Sequence, residues 1–206
     1  MSATAPLDAR GAPLYGLVLT GGRSRRMGRD KAALTYGEAA TQLERAMHLL
    51  TAHVARAFVS VRAEQAHDPL RARFPQIRDR QENLGPIAGI LAAQAEYPAS
   101  AWLVLACDLP RLDETTLAFL LRARAPQRIA TAFRSSYDGL PEPLCAIYEP
   151  ASREPLVAWV ASGETCPRKF LRSVTAELLD EPEPRALDNI NTPQEYDQAS
   201  RAQEQP

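Results

Sequence analysis

The sequence predicts an α/β fold with a mostly parallel central sheet, on three observations. Residues 102–106 (WLVLA) are almost wholly apolar, the pattern of a strand buried on both faces in the middle of a parallel sheet. Residues 17–19 form a second short apolar run that gives way at once to Gly21-Gly22, which reads as a buried strand entering a tight loop. From residue 15 to residue 61 the order is strand, loop, helix, strand. That is one βαβ unit, implying a parallel pair with a right-handed crossover.

The remaining elements follow in order. Residues 32–36 lead to a turn at Gly37. Thr41 and Glu44 have the spacing of a capping box, ahead of Leu43, Ala46, Met47 and Leu50 at helical spacing. Phe58, Val59 and Val61 form the next strand, with Ser60 inside it. Residues 65–73 read as a short helix before Pro75, and residues 77–79 as a brief extended piece. Gly85-Pro86 opens a helix, with Pro86 in the first turn where its missing N–H costs nothing. Gly89 inside that helix gives up about 1 kcal/mol against Ala. It points either to close approach of a ligand or backbone, or to tight packing of helix on sheet. Asp113 caps a helix carrying Leu117, Leu120 and Leu121. Residues 129–133 and 144–148 are strands joined through the turn chemistry of Asp138-Gly139. They suggest a hairpin-like excursion, so the sheet need not be purely parallel. Helices over 153–162, ending at Gly163, and over 167–173 precede an edge strand at Leu178-Leu179. A proline-rich loop (EPEPR) and a short helix begun by Thr192 and Pro193 close the chain. With no internal repeat, 1–206 reads as a single domain with a loose leader over 1–13 and a frayed tail over 200–206.

Composition narrows the function. The chain has 206 residues, 45% hydrophobic and 24% charged, with a net charge of -1. It lacks the basic excess of a general nucleic-acid or membrane-surface binder. Cys107, Cys145 and Cys166 are odd in number and far apart, which fits neither a disulfide framework nor a zinc site and points to a reducing cytoplasm. No apolar run approaches the roughly 20 residues of a membrane helix. His48, His53 and His67 lack metal-ligand spacing.

Positive charge is instead concentrated in one segment, residues 15–31 (YGLVLTGGRSRRMGRDK). Glycines allow successive backbone N–H groups to turn toward one point. Arg23, Arg25, Arg26 and Lys31 surround that point with cations. The segment is neither a P-loop nor a G-x-G-x-x-G turn. It reads as a polyphosphate-binding loop, or else as a glycine turn with solvated arginines. Asp108 follows the most apolar strand, and in open α/β sheets ligands bind beyond the carboxyl ends of the strands. It is a candidate ligand to a metal, a ribose or a partner arginine. Cys107 beside it reads as packing rather than as a nucleophile. Arg168 and Lys169 read equally as solvated cations or as receivers of an anionic phosphate.

The pattern Leu19, Gly21, Gly22, Ser24, Arg26, Met27, Gly28, Asp30 and Lys31 resembles the L-x-G-G-x-S-x-R-M-G-x-D-K signature of the molybdenum cofactor nucleotidyltransferases. Later segments extend the resemblance to the guanylyltransferases of that group. Asp79 with Gly85-Pro86-Ile87-Ala88-Gly89-Ile90 is similar to their D…G-P-L-A-G-I/M element. Cys107-Asp108-Leu109-Pro110 resembles their C-D-x-P turn, and Glu142-Pro143-Leu144 their substrate-side strand. Asn189-Ile190-Asn191-Thr192-Pro193 resembles their N-x-N-T-P element.

The resemblance implies a three-layer Rossmann-like nucleotidyltransferase (GT-A-like) fold, mostly parallel with one antiparallel strand and helices on both faces. It implies transfer of GMP from GTP to the terminal phosphate of molybdopterin cofactor, releasing pyrophosphate. Leu19, Thr20, Gly21 and Gly22 would hold guanine and phosphates, and Lys31 and Arg26 would serve the phosphates. Ser60, Asp79 and Gly85 would border the nucleoside, Asp108 would bind Mg2+, and Asn189 and Asn191 would lie on the pterin or metal side. Cofactor donor or acceptor proteins would be further partners. Thr20 departs from the usual Ala, Ser60 from Asn, and Gly37-Glu38-Ala39-Ala40 from G-x-P-L. A cytidylyltransferase on the same cofactor, a sugar-phosphate nucleotidyltransferase and a non-catalytic nucleotide-binding regulator are the alternatives.

Overall fold

The computed structural model describes residues 11–20, 30–35 and 40–189. Seven strands form one sheet in the order β3-β2-β1-β4-β6-β5-β7. They are β1 (Leu14–Leu19), β2 (Ala57–Val61), β3 (Gln76–Arg78), β4 (Ala101–Ala106), β5 (Ala130–Arg134), β6 (Pro141–Tyr148) and β7 (Ala176–Asp180). β1 pairs in parallel with both β2 and β4, and β2 with β3. β6 runs antiparallel to β4 and β5, and β7 returns parallel to β5. The expected architecture is therefore present, with β6 as the reversed strand. The register of the β5–β6 pair shifts where Ala132 is level with Ala146 and Phe133 with Glu142, so the extra residues lie on β6.

Helices cover both faces. α1 (Gln42–Thr51) and α3 (Glu114–Arg122) pack with Val18, Leu103 and Leu105 on one side. α2 (Pro86–Glu96), α4 (Arg153–Ala161) and α5 (Pro167–Ser173) pack with Leu17, Trp102 and Val104 on the other. Alternation along a strand sends neighbouring side chains to opposite faces, so β1 and β4 feed both cores, and every β4 residue is buried. α1 begins with the expected capping box. Glu44 N–H donates to Thr41 Oγ1 at 3.2 Å, and Thr41 N–H donates to Glu44 Oε2 at 2.8 Å. Asp113 caps α3 through Thr116 N–H at 2.8 Å, and Pro86 stands in the first turn of α2.

Two parts differ from the expectation. Residues 65–73 do not form one helix but fall into 3-10 turns at Ala63–Gln65 and Arg71–Arg73. No apolar face repeats there to dock a longer helix, and Arg71 is drawn inward. Residues 11–13 lie against the body, since Ala101 N–H donates to Pro13 O at 3.0 Å and Arg124 Nη2 donates to Ala12 O at 3.0 Å. Arg124 also makes a buried bidentate pair with Glu149, at 2.7 and 2.9 Å.

Gly89 resolves in favour of packing. A Cβ there would collide with Ser60 Oγ and lie 2.8 Å from Leu19 Cδ2, so α2 sits against β1 and β2 at a separation only glycine allows. Gly89→Ala is expected to destabilise by about 1–3 kcal/mol through overpacking, although helix propensity alone favours Ala by about 1 kcal/mol. Urea unfolding decides between these opposite signs.

Candidate active site at the carboxyl ends of the strands

The register aligns the strand ends in one row. Leu19 is level with Ser60 on β2 and with Ala106 on β4, and Val61 is level with Arg78 on β3. Beyond these residues stand Thr20, Asp79 and Asp108. After β1 the chain builds outward through β2 and β3, then crosses back to place β4 on the other side of β1. That reversal is a topological switch point, where open α/β sheets leave a crevice.

Across the crevice the Lys31 ammonium donates to Asp108 Oδ2 at 2.7 Å, with side chains 16% and 20% exposed. Lys31 opens a 3-10 turn, Lys31–Ala33, capped by Asp30, whose Oδ1 accepts from Ala32 N–H at 3.1 Å. Asp108 lies in the turn after β4, braced from below. Arg45 of α1 donates to Leu109 O at 3.3 Å and to Leu112 O at 2.7 Å. Cys107 is buried, and desolvation, then the nearby carboxylates, push its thiol up to about 12. It packs and does not attack.

On the other side of β1, Ser60 Oγ donates to Asp79 Oδ1 at 2.7 Å, and Asp79 N–H donates to Val61 O at 2.9 Å. Burial pushes the Asp79 carboxyl above its ordinary value, against the Ser60 hydrogen bond and the Arg62 charge. Ser60 is itself buried, so it stands behind Asp79 and orients it. Thr20 is buried, and its hydroxyl donates to Ser60 O at 2.7 Å. The departures at Thr20 and Ser60 are thus absorbed by bonds within the protein, while the third, at 37–40, falls mostly outside the described residues. Leu19 is buried at the end of β1. Gly85 caps α2 with φ +56 and no atom within 4 Å of a would-be Cβ, so the backbone angle is what calls for glycine.

Asn189 is exposed at the end of the described residues. The chain before it returns to this end of the sheet, because Asp188 lies 3.8 Å from Arg111, three residues past Asp108. Gly21, Gly22, Arg26 and Asn191, with the rest of the glycine–arginine segment and the helix expected at Pro193, lie outside the described residues. Arg168 is neutralised by Asp138 at 2.9 Å and Glu142 at 2.8 Å, and Lys169 lies 3.5 Å from Glu164. Arg71, which the sequence did not single out, is among the described residues the one buried cation in this row. It sits in a segment without periodicity, and its only signal was a hydroxyl at Thr20 that needed a partner.

A mostly parallel sheet with a cation–carboxylate pair at its switch point is an architecture suited to binding a nucleotide. The chain belongs to the MobA-like NTP transferase family, whose model matches residues 16–180. It is 32% identical to a probable molybdenum cofactor guanylyltransferase of Mycobacterium ulcerans, over 87% of this chain and 89% of that one. It is 35% identical to a molybdenum cofactor biosynthesis bifunctional protein of Synechocystis, over 93% of this chain but only 55% of that longer protein. Among solved structures, the molybdopterin-guanine dinucleotide biosynthesis protein A of Archaeoglobus fulgidus superposes with a TM-score of 0.77. It covers 93% of this chain and 100% of that one, at 23% identity. No helix among the described residues is long and apolar enough to cross a membrane.

The Asp79 carboxyl gives a signed test. Its folded pKa lies above the unfolded one, so its ionised form opposes folding at neutral pH, and the opposition fades as pH falls through the folded value. Asp79→Asn is expected to match or exceed the wild-type urea midpoint at neutral pH, with the gap narrowing on acidification. A gap that widens in acid contradicts the assigned burial.

Proposed function

We propose that the chain transfers GMP from GTP to the terminal phosphate of molybdopterin cofactor, with pyrophosphate as the other product. The observation that carries this reading is the 2.7 Å Lys31–Asp108 pair at the switch point, in line with the Ser60–Asp79 pair on the far side of β1. The two pairs divide the crevice into a nucleoside side and a phosphate side. Asp79, an acceptor oriented by Ser60, suits the N–H edge of guanine or a ribose hydroxyl. Lys31 supplies a mobile point charge for phosphate oxygens, joined by Arg26 and the backbone N–H groups of Gly21 and Gly22. Gly85 opens the turn bordering the nucleoside, and Asn189 and Asn191 serve the pterin side.

The reaction asks little covalent help from the protein. An oxygen of the terminal phosphate forms a bond to the α-phosphorus of GTP. The bond from that phosphorus to the β-bridging oxygen breaks, and its electron pair leaves with pyrophosphate. A phosphate monoester is already ionised near neutrality, so positioning and charge neutralisation dominate. Lys31 meets the negative charge that grows on the leaving group.

Among the described residues no cluster of three His, Cys, Asp or Glu forms a metal cage. A single carboxylate beside a triphosphate site fits Mg2+, which takes one or two carboxylates and completes its shell with phosphates and water. Asp108 would hold it, and the ion would add positive charge and orientation at the phosphates. Cofactor donor or acceptor proteins, and a cytoplasmic location, belong to the same proposal.

Asp108→Ala and Lys31→Ala are each expected to lower turnover at least about tenfold, ~1.4 kcal/mol of transition-state stabilisation, with the fold retained. Pyrophosphate release from GTP, Mg2+ and molybdopterin measures it. Wild-type rates in either variant remove the assigned role, and exclusive use of CTP in place of GTP removes the guanylyl reading.

A further inference from the structure

Arg71 is an extensively bonded side chain among the described residues at the carboxyl ends of the strands, and nothing in the reaction above uses it. Its side chain is 2% exposed. Nε–H donates to Thr20 Oγ1 at 3.0 Å. Nη1 donates to Asp30 Oδ2 at 2.7 Å and to Asp68 Oδ1 at 3.1 Å. Nη2 donates to Asp30 Oδ1 at 2.9 Å and to Thr20 O at 3.4 Å. A guanidinium has five N–H donors in a rigid fork, and these five bonds use them all. The fork itself is locked, because Arg71 N–H also donates to Asp68 Oδ1 at 3.0 Å.

Thr20 and Asp30 are the residues that bracket the glycine–arginine segment, and one planar group holds both. Thr20 continues through its hydroxyl to Ser60 O, and Ser60 through its own hydroxyl to Asp79. Asp30 continues through its cap on Ala32 N–H to the turn that carries Lys31, and so to Asp108. Arg71 therefore joins the nucleoside side of the crevice to its phosphate side. Resting on the proposed GTP-binding function, we infer that Arg71 is a positioning residue for the nucleotide. It presets the spacing between Thr20 and the Asp30–Lys31 turn, so that less order has to be created when the triphosphate arrives. Preorganisation of this kind acts on affinity by cutting the cost of ordering.

A purely structural arginine is available for comparison. Arg124 is as deeply buried, but its pair with Glu149 and Ala12 ties the chain leading into β1 to the residue that follows β6, at the other end of the sheet. Arg71→Lys keeps the charge but gathers its donors at one point, so it cannot serve Thr20 and Asp30 together. Asp30→Asn keeps an oxygen for Ala32 N–H and replaces one acceptor of the fork with a donor.

The test measures GTP binding by calorimetry and GTP KM by pyrophosphate release in the full chain. Arg71→Lys and Asp30→Asn are each expected to raise the GTP dissociation constant and KM at least about tenfold. The double variant is expected to lose little beyond Arg71→Lys, since both cut one linkage. Arg124→Lys is expected to lower the thermal midpoint with GTP KM unchanged. If Arg71→Lys and Asp30→Asn behave like Arg124→Lys, losing stability at wild-type GTP KM, the inference is overturned. Should Arg71→Lys fail to fold, Asp30→Asn decides alone, because Asp30 is 42% exposed and a wild-type KM there overturns the inference. A wild-type chain that binds no GTP overturns the proposed function and this inference together. A wild-type chain that binds GTP, with variants that bind it equally well, overturns the inference only.

Discussion

The 2.7 Å contact between Lys31 and Asp108 is the constraint on which the rest of the site depends. It exists because β1 and β4 are parallel neighbours in the middle of the sheet, so the turns that follow them emerge side by side. A reversed strand in either place would send one of these residues to the opposite edge. The reversed strand, β6, comes after β4 in the sheet order and leaves the switch point intact. A largely buried ion pair is weak evidence for stability, because the cost of desolvating both groups offsets their attraction. Its value is positional, since it stores a cation and a carboxylate within reach of one another on facing turns.

Around that contact the polar groups are arranged so that nearly every buried one has a partner, as buried donors and acceptors require. Asp79 leans on Ser60, Ser60 receives Thr20, and Thr20 receives Arg71. These bonds run across β1, β2 and the segment before β3, so this side of the crevice behaves as one network. Removing a member of such a network leaves others unpaired in a dry environment, where each costs more than at the surface. Gly89 contributes from below. By letting α2 approach β1 and β2, it holds Ser60 in the position from which it reaches Asp79.

The framework was legible where local chemistry and the global fold ask for the same residues. The apolar run at 102–106 became the fully buried β4, and Thr41 with Glu44 became a complete capping box. Pro86 opened α2. Asp108 was marked by its place after the most apolar strand, and Lys31 by the cationic segment that follows β1. What could not be read was the partner of each polar group, because pairing depends on which elements the sheet brings together. Arg71 lies 51 residues from Thr20 and 41 from Asp30, in a stretch whose pattern favours no regular element. The length of that stretch suggests a short helix, but without a repeating apolar face it forms two 3-10 turns instead. Gly89 stood between these cases, since its oddity was visible but its cause required the position of Ser60.

The central claim is that Lys31 and Asp108 serve a metal-bound triphosphate together. Its most direct test is the effect of Mg2+ on GTP affinity, titrated in the wild-type chain and in Asp108→Ala. Mg2+ is expected to tighten GTP binding to the wild type and to lose most of that effect in Asp108→Ala. An equal gain in both proteins contradicts it.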